Sequence, residues 1–332
     1  MTALRYDVTG IGNAIVDIIG RCDDGYLGKI GAAKGSMRLV DADEIAKIYS
    51  GMGPAVEISG GSAANTLAGV ASLGGRAGFI GKVADDEFGR IFSHDIRSIG
   101  VHFNASPVSG SMPTSRSLIL VTPDGERTMN TFLGISTDLT GNQLDHELIR
   151  DSAILYLEGY LFDRPDAKQA FHDAASVAKK AGRKVALSLS DAFCIDRHRA
   201  EFLALIRSGV DIVFANETEI KSLYETQSYD EAAAHARRDI KLAALTRSAK
   251  GSHIFSEGKD IAIPADPVSH VVDTTGAGDL YAAGFLFGVA TGLSLETSGK
   301  IASLAAAEII SHIGARPAVA LDQLARQRGL IS

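Results

Sequence analysis

The chain has 332 residues, 45% hydrophobic and 22% charged, with 35 glycines and 8 prolines, the composition of a globular protein long enough to bury a core without disulfide or metal staples. Its net charge of -7 argues against nucleic-acid binding, which calls for a basic face. Two cysteines, Cys22 and Cys194, with no C-x-x-C pair, indicate neither a disulfide framework nor a zinc site.

The N-terminus runs straight into a strand-like pattern without a basic segment and apolar signal core, and the longest apolar stretch, Leu280 to Val289, is too short to span a bilayer. A cytoplasmic protein with no membrane association is the expectation.

Runs rich in β-branched residues alternate with Ala-rich segments of helical periodicity, the pattern of a parallel sheet flanked by helices. In chain order the strands read Tyr6 to Gly12, Ala77 to Gly81, Ala153 to Leu157, Lys184 to Leu189, Asp211 to Ala215 and Leu242 to Thr246. The helices read Ala63 to Ser72, Pro165 to Ala181, Tyr229 to Ile240, Gly278 to Thr291 and Leu295 to Ser311.

Segments 18–40 and 109–134 break this alternation, the second containing two strand-like runs around a Pro-Asp-Gly turn. They predict a small β-sheet inserted as a lid in a single α/β domain spanning 1–332, with a three-layer α/β/α core and a mostly parallel central sheet.

The most informative segment is HVVDTTGAGDLYAAGF, where a β-branched run meets Gly276, Ala277 and Gly278 at the start of a small-residue helix. Unpaired N–H groups and the helix dipole favour an anion there, and the glycines let a phosphate come close. Asp279, the next residue, would repel that phosphate unless it had a task such as accepting the proton of an attacking hydroxyl. Read alone, the same five residues equally suit a capped helix start.

A second Gly-rich element, GGSAAN, brings Gly60 and Gly61 to another helix start, with Asn65 one turn in. Asn13 and Asp17 sit at the end of the first strand, the sheet edge where α/β proteins bind ligands, and Asp17 suits vicinal hydroxyls. There is no dinucleotide fingerprint, because Ile15 stands where the third glycine is needed, and no Walker A sequence around Gly81-Lys82.

Taken together, GGSAANTLAGVASLGG and DTTGAGDLYAAGF resemble the two signatures of the ribokinase-like, or PfkB, carbohydrate kinases, and the resemblance runs over essentially the whole chain. It implies an ATP-dependent kinase in which Asp279 deprotonates the acceptor hydroxyl while the N–H groups of Ala277, Gly278 and Asp279 stabilise the phosphoryl group. Asp17 would clamp sugar hydroxyls with Asn13, Gly61 and Asn65. Asn216 and Glu219 match an Asn-x-x-Glu motif that acts near Mg2+, largely through water. A monovalent cation such as K+ beside the anion hole, near Asp273 and Thr275, is a further family feature.

GNAIVDI, LEGYLFDRPDA and KVALSLSDAF resemble the adenosine kinase branch, which implies a nucleoside acceptor, adenosine to AMP, with ribose, fructose or a related ketose as the alternative. Met37, Leu39, Tyr160 and Phe162 are candidates for the base pocket. The nucleotide-side loop Thr246-Arg247-Ser248-Ala249-Lys250-Gly251 carries Ser248 where the family has glycine, so ATP rests on the resemblance and GTP stays open. His312 is a candidate adenine contact. A monomer or a homodimer is expected, with the small-molecule acceptor and ATP as partners.

Overall fold

A computed structural model describes residues 4–332 apart from Ser111 and Glu257; Ser111, within the second expected insertion, lies outside the described residues. The strands in chain order are β1 (Tyr6–Ile11), β2 (Ile15–Arg21), β3 (Met37–Leu39), β4 (Ala55–Gly60), β5 (Ala77–Ile80), β6 (Val101–His102) and β7 (Ser115–Val121). They continue with β8 (Arg127–Phe132), β9 (Ser152–Glu158), β10 (Lys184–Ser188), β11 (Ile212–Asn216), β12 (Leu242–Thr246), β13 (Ser252–Ser256) and β14 (Lys259–Ile263).

Nine strands form one sheet in the order β14-β13-β12-β11-β10-β9-β1-β5-β6. The run from β12 to β6 is parallel, and β13 and β14 add an antiparallel hairpin at one edge. Its central strands are buried on both faces. Along β9, Ile154 and Tyr156 join one core and Leu155 and Leu157 the other, as expected for a parallel sheet covered by helices on both sides.

The helices of the first core include Ser62–Ser72, Ala277–Ala290 and Leu295–Ile309. Helix Ala277–Ala290 is apolar all round, with Leu280 and Phe285 fully buried, because it lies between the sheet and helix Leu295–Ile309. Pro165 opens helix Pro165–Lys180, where its missing N–H and preset φ suit a first turn.

A second sheet of five strands has the order β3-β8-β7-β2-β4. Its β7–β8 hairpin closes on a turn in which Gly125 donates to the Thr122 carbonyl. Asp17 lies in this sheet, on β2, and not at the end of the first strand as expected: Gly12, Asn13 and Ala14 break the apolar run, so the chain leaves the large sheet after Ile11 and enters the small one at Ile15. Among the described residues, no helix is long and apolar enough to cross a membrane.

Candidate active site

A cavity of about 590 Å³ opens where β1, β9, β10, β11 and β12 end, beneath the small sheet. This is the sheet edge at which parallel α/β folds place their ligands. Its lining includes Asn13, Asp17, Gly61, Asn65, Asn216, Thr246, the Gly276–Asp279 turn, Met37, Leu39 and Tyr160, so most of the expected site residues converge.

Gly276 caps helix Ala277–Ala290 with φ 80°, a left-handed conformation that glycine adopts without penalty. The Ala277 N–H, expected in the anion hole, donates to the Thr274 carbonyl at 3.2 Å. The N–H groups of Gly278 and Asp279 have no such partner among the described residues and lie at the positive end of the dipole.

Asp279 is held from the start of a distant helix. Ser62 Oγ donates to its Oδ1 at 2.6 Å and Asn65 Nδ2 to its Oδ2 at 3.0 Å. Burial raises its pKa above the ordinary carboxylate value, against those two hydrogen bonds and the charge of Arg316. Asn65 Oδ1 is buried and has no partner, which leaves an acceptor available to a ligand hydroxyl. Gly61, with φ 97°, opens this helix because a Cβ there would stand 2.2 Å from the Asn13 carbonyl oxygen.

Asn13 is fixed on both sides of its amide: its Nδ2 donates to Glu158 Oε1 at 2.7 Å, and its Oδ1 accepts from Ser136 Oγ at 2.7 Å. Glu158 also accepts the N–H groups of Asn13 and Ala63, yet burial pushes it up to about 7. Asp17 is pushed up to about 6 by burial, with Arg316 and Arg127 opposing the shift and Asp279 reinforcing it.

Asn216 and Glu219 form a reciprocal cap at the end of β11, with Glu219 N–H to Asn216 Oδ1 at 2.9 Å and Asn216 N–H to Glu219 Oε2 at 3.0 Å. Burial pushes Glu219 up to about 7. Among the described residues no cluster of three His, Cys, Asp or Glu could cage a metal. The Asn216 and Glu219 side chains both bear oxygens and line the cavity, a pair that fits a Mg2+ keeping much of its water.

Not every expected residue reaches the cavity. Phe162 is fully buried and stacks on Phe202 with ring centroids 4.0 Å apart, so it is core and not base pocket. His312 turns to Glu308, with Nε2 3.0 Å from Oε1, and does not line the cavity. Ser248 and Gly251 also stand outside its lining. Ser248 holds φ 50°, so this position keeps a left-handed backbone at some strain. Asp273 does not suit K+: its carboxylate is buried, accepts the N–H groups of Thr275 and Gly314 at 3.0 Å each, and pairs with the Arg127 guanidinium.

Three further residues bear on the site without any local mark in the sequence. Glu158 ends an ordinary buried strand, Arg316 lies near the C-terminus, and Phe193, 75% exposed, lines the cavity from the start of helix Ala192–Gly209. The positive φ of Ser190, 65°, turns the chain into that helix.

The model of the pfkB family carbohydrate kinases matches residues 43–321. An adenosine kinase from Sinorhizobium meliloti is 54% identical, with a TM-score of 0.90 over 98% of this chain and 99% of that one. A structure described as a probable sugar kinase protein from Rhizobium etli is 50% identical, with a TM-score of 0.92 over 99% and 100%. A protein of Arabidopsis thaliana named probable fructokinase-6, chloroplastic, is 31% identical over 71% of this chain, which spans 63% of that protein's length. The chain belongs to the pfkB family of carbohydrate kinases, with the ribokinase-like fold.

Proposed function

We propose that the protein transfers the γ-phosphoryl group of ATP to the 5′-hydroxyl of adenosine, giving AMP. One observation carries the choice of a nucleoside: Met37, Leu39, Tyr160 and Phe193 are large apolar side chains left exposed, and all four line the cavity that holds Asp17 and Asp279. Strand periodicity puts Met37 and Leu39 on the same face of β3, while Tyr160 and Phe193 come from the α/β body. An apolar and aromatic surround of this kind suits a flat heterocycle, and a free sugar has little to bury there.

In this reading Asp17 accepts hydrogen bonds from ribose hydroxyls, and Asn13, Gly61 and Asn65 complete their surround. Asp279 takes the proton of the attacking hydroxyl, and its raised pKa makes it a better proton acceptor than an exposed carboxylate. The N–H groups of Gly278 and Asp279 receive the charge that develops on the transferred phosphoryl group. ATP would lie along Asn216 and Thr246. Asn216 and Glu219 would hold Mg2+ through water, and the ion would supply neutralisation of phosphate charge. A cytoplasmic monomer or homodimer is the accompanying expectation.

A second reading, phosphorylation of ribose, fructose or a related ketose, draws support from the relatives named as a sugar kinase and a fructokinase. Calorimetry in the presence of a non-hydrolysable ATP analogue and Mg2+ separates the two. Adenosine binding at least tenfold tighter than ribose and fructose, about 1.4 kcal/mol or more, is expected; tighter binding of either sugar would select the second reading.

A further inference from the structure

Arg316 takes no part in the proposed reaction, yet its side chain reaches the turn on which the site is built. Its Nε and Nη2 donate to the Ser59 carbonyl at 3.0 and 2.6 Å, its Nη2 also to Ser59 Oγ at 2.9 Å, and its Nη1 to the Ala64 carbonyl at 2.7 Å. Ser59 is the penultimate residue of β4, and Ala64 lies in the first turn of helix Ser62–Ser72. One planar guanidinium thus spans the Gly60–Gly61 turn from end to end, a geometry that its fixed fork of donors suits.

Two glycines in succession leave that turn without side chains of its own to stiffen it. The grip is two-sided: Asp95 Oδ2 accepts both the N–H and the Oγ of Ser59, at 2.7 and 2.6 Å, while Arg316 takes the carbonyl. Beyond the turn come Ser62 and Asn65, the two donors to Asp279. Before it, β4 pairs with β2, where Ile58 stands opposite Asp17. Two residues ahead of Arg316, Gly314 donates to Asp273, whose other oxygen accepts the N–H of Thr275 beside the anion hole.

We infer that Arg316 is a positioning residue for phosphoryl transfer, one that clamps the Gly60–Gly61 turn so that Ser62 and Asn65 stay on Asp279 and the small sheet keeps Asp17 over the same cavity. The inference rests on the assignment of Asp279 as base. Arg316 is also the cation that lowers the pKa of Asp279, and the Asp279 carboxylate in turn raises those of Asp17 on β2, Tyr156 and Glu158 on β9, Tyr160 beyond it, and Glu219 across the cavity.

The test compares Arg316→Ala, Arg316→Lys, Ser59→Ala and Asp279→Asn with the wild type. Its readouts are kcat, KM for ATP, the pH profile of kcat, and amide exchange over residues 59–65. A turn displaced by roughly 1 Å would lower kcat about 100-fold in Arg316→Ala with little change in the KM for ATP. The acid limb of the profile should move to higher pH, amide exchange over 59–65 should quicken, and millimolar guanidinium should restore part of the lost rate. Lysine, a point charge without the fork, should recover little. Ser59→Ala, which leaves the guanidinium in place, should show a smaller loss in the same direction.

Two results would overturn the inference. One is Arg316→Ala with the kcat, pH profile and amide exchange of the wild type. The other, decisive if that variant does not fold, is Ser59→Ala with unchanged kcat and unchanged exchange. An Asp279→Asn variant with full rate strikes the base assignment itself, whereas loss of activity there beside an unaffected Arg316→Ala strikes only the clamp.

Discussion

Ser62 Oγ donates to Asp279 Oδ1 across 2.6 Å, joining the first turns of two helices whose residues lie 217 positions apart. This bond orients a carboxylate that burial would otherwise drive towards protonation. Asp279→Asn keeps the size of the side chain and removes its basicity. General-base catalysis is worth about 10²- to 10⁴-fold, so kcat should fall by that factor while the KM for ATP changes little. Steady-state ADP release checks it.

The raised pKa of Asp279 fixes the sign of the pH dependence. The base works only when deprotonated, so kcat should fall as pH drops through that raised pKa, with an apparent midpoint above the ordinary Asp value of about 3.9. A kcat profile that stays flat down to that ordinary value would speak against a buried base.

Asp17 separates stability from binding. Its folded-state pKa of about 6 lies above the ordinary Asp value, so the folded protein holds this proton more tightly than the unfolded chain. The associated stability is present below the unfolded pKa and lost as pH rises through about 6. Asp17→Asn should therefore raise the Tm relative to wild type more at pH 8 than at pH 4. It should also weaken acceptor binding about 10- to 100-fold, the worth of hydrogen bonds to a charged group. Thermal melts at the two pH values and acceptor KM together test this.

How much of this was legible beforehand differs by element. The Gly276 turn and helix Ala277–Ala290 were readable because a left-handed glycine and a small-residue helix leave local marks. The β7–β8 hairpin was readable from its turn residues. The β13–β14 hairpin went unread, since Ser252–Ser256 and Lys259–Ile263 are short, with polar residues among the apolar ones. Asp17 was placed near the cavity but on the wrong element, because Gly12, Asn13 and Ala14 interrupt an apolar stretch only briefly. Phe162 and Tyr160 lie two residues apart, yet one enters the core and the other the cavity. That choice depends on Phe202 and Phe171, which pack on Phe162 from later helices. Arg316 contacts a turn more than 250 residues earlier, and nothing local announces such a contact.

Phe193 offers a readout of the base pocket. An aromatic contact is worth about 0.5–1.5 kcal/mol beyond area burial, roughly two- to tenfold in affinity. Phe193→Ala should raise the KM for adenosine by at least that factor and leave the KM for ribose unchanged. Equal changes for both acceptors would remove Phe193 from the base contacts.

The occupied carboxylate of Asp273 bears on ion dependence. Its two backbone donors and the buried Arg127 guanidinium already satisfy and neutralise it. Turnover in K+ and in tetramethylammonium should agree within about twofold, under 0.5 kcal/mol in the barrier. Arg127→Ala should lower the rate in both salts, because it leaves a buried carboxylate without its counter-charge.

The most direct measurement is ADP release by the purified protein with ATP and Mg2+, offered adenosine, ribose and fructose in parallel, with 31P NMR of the product. Turnover on adenosine that yields AMP and collapses in Asp279→Asn is the expected result. Turnover on ribose or fructose with none on adenosine would contradict the nucleoside assignment, and AMP formation undiminished in Asp279→Asn would contradict the mechanism.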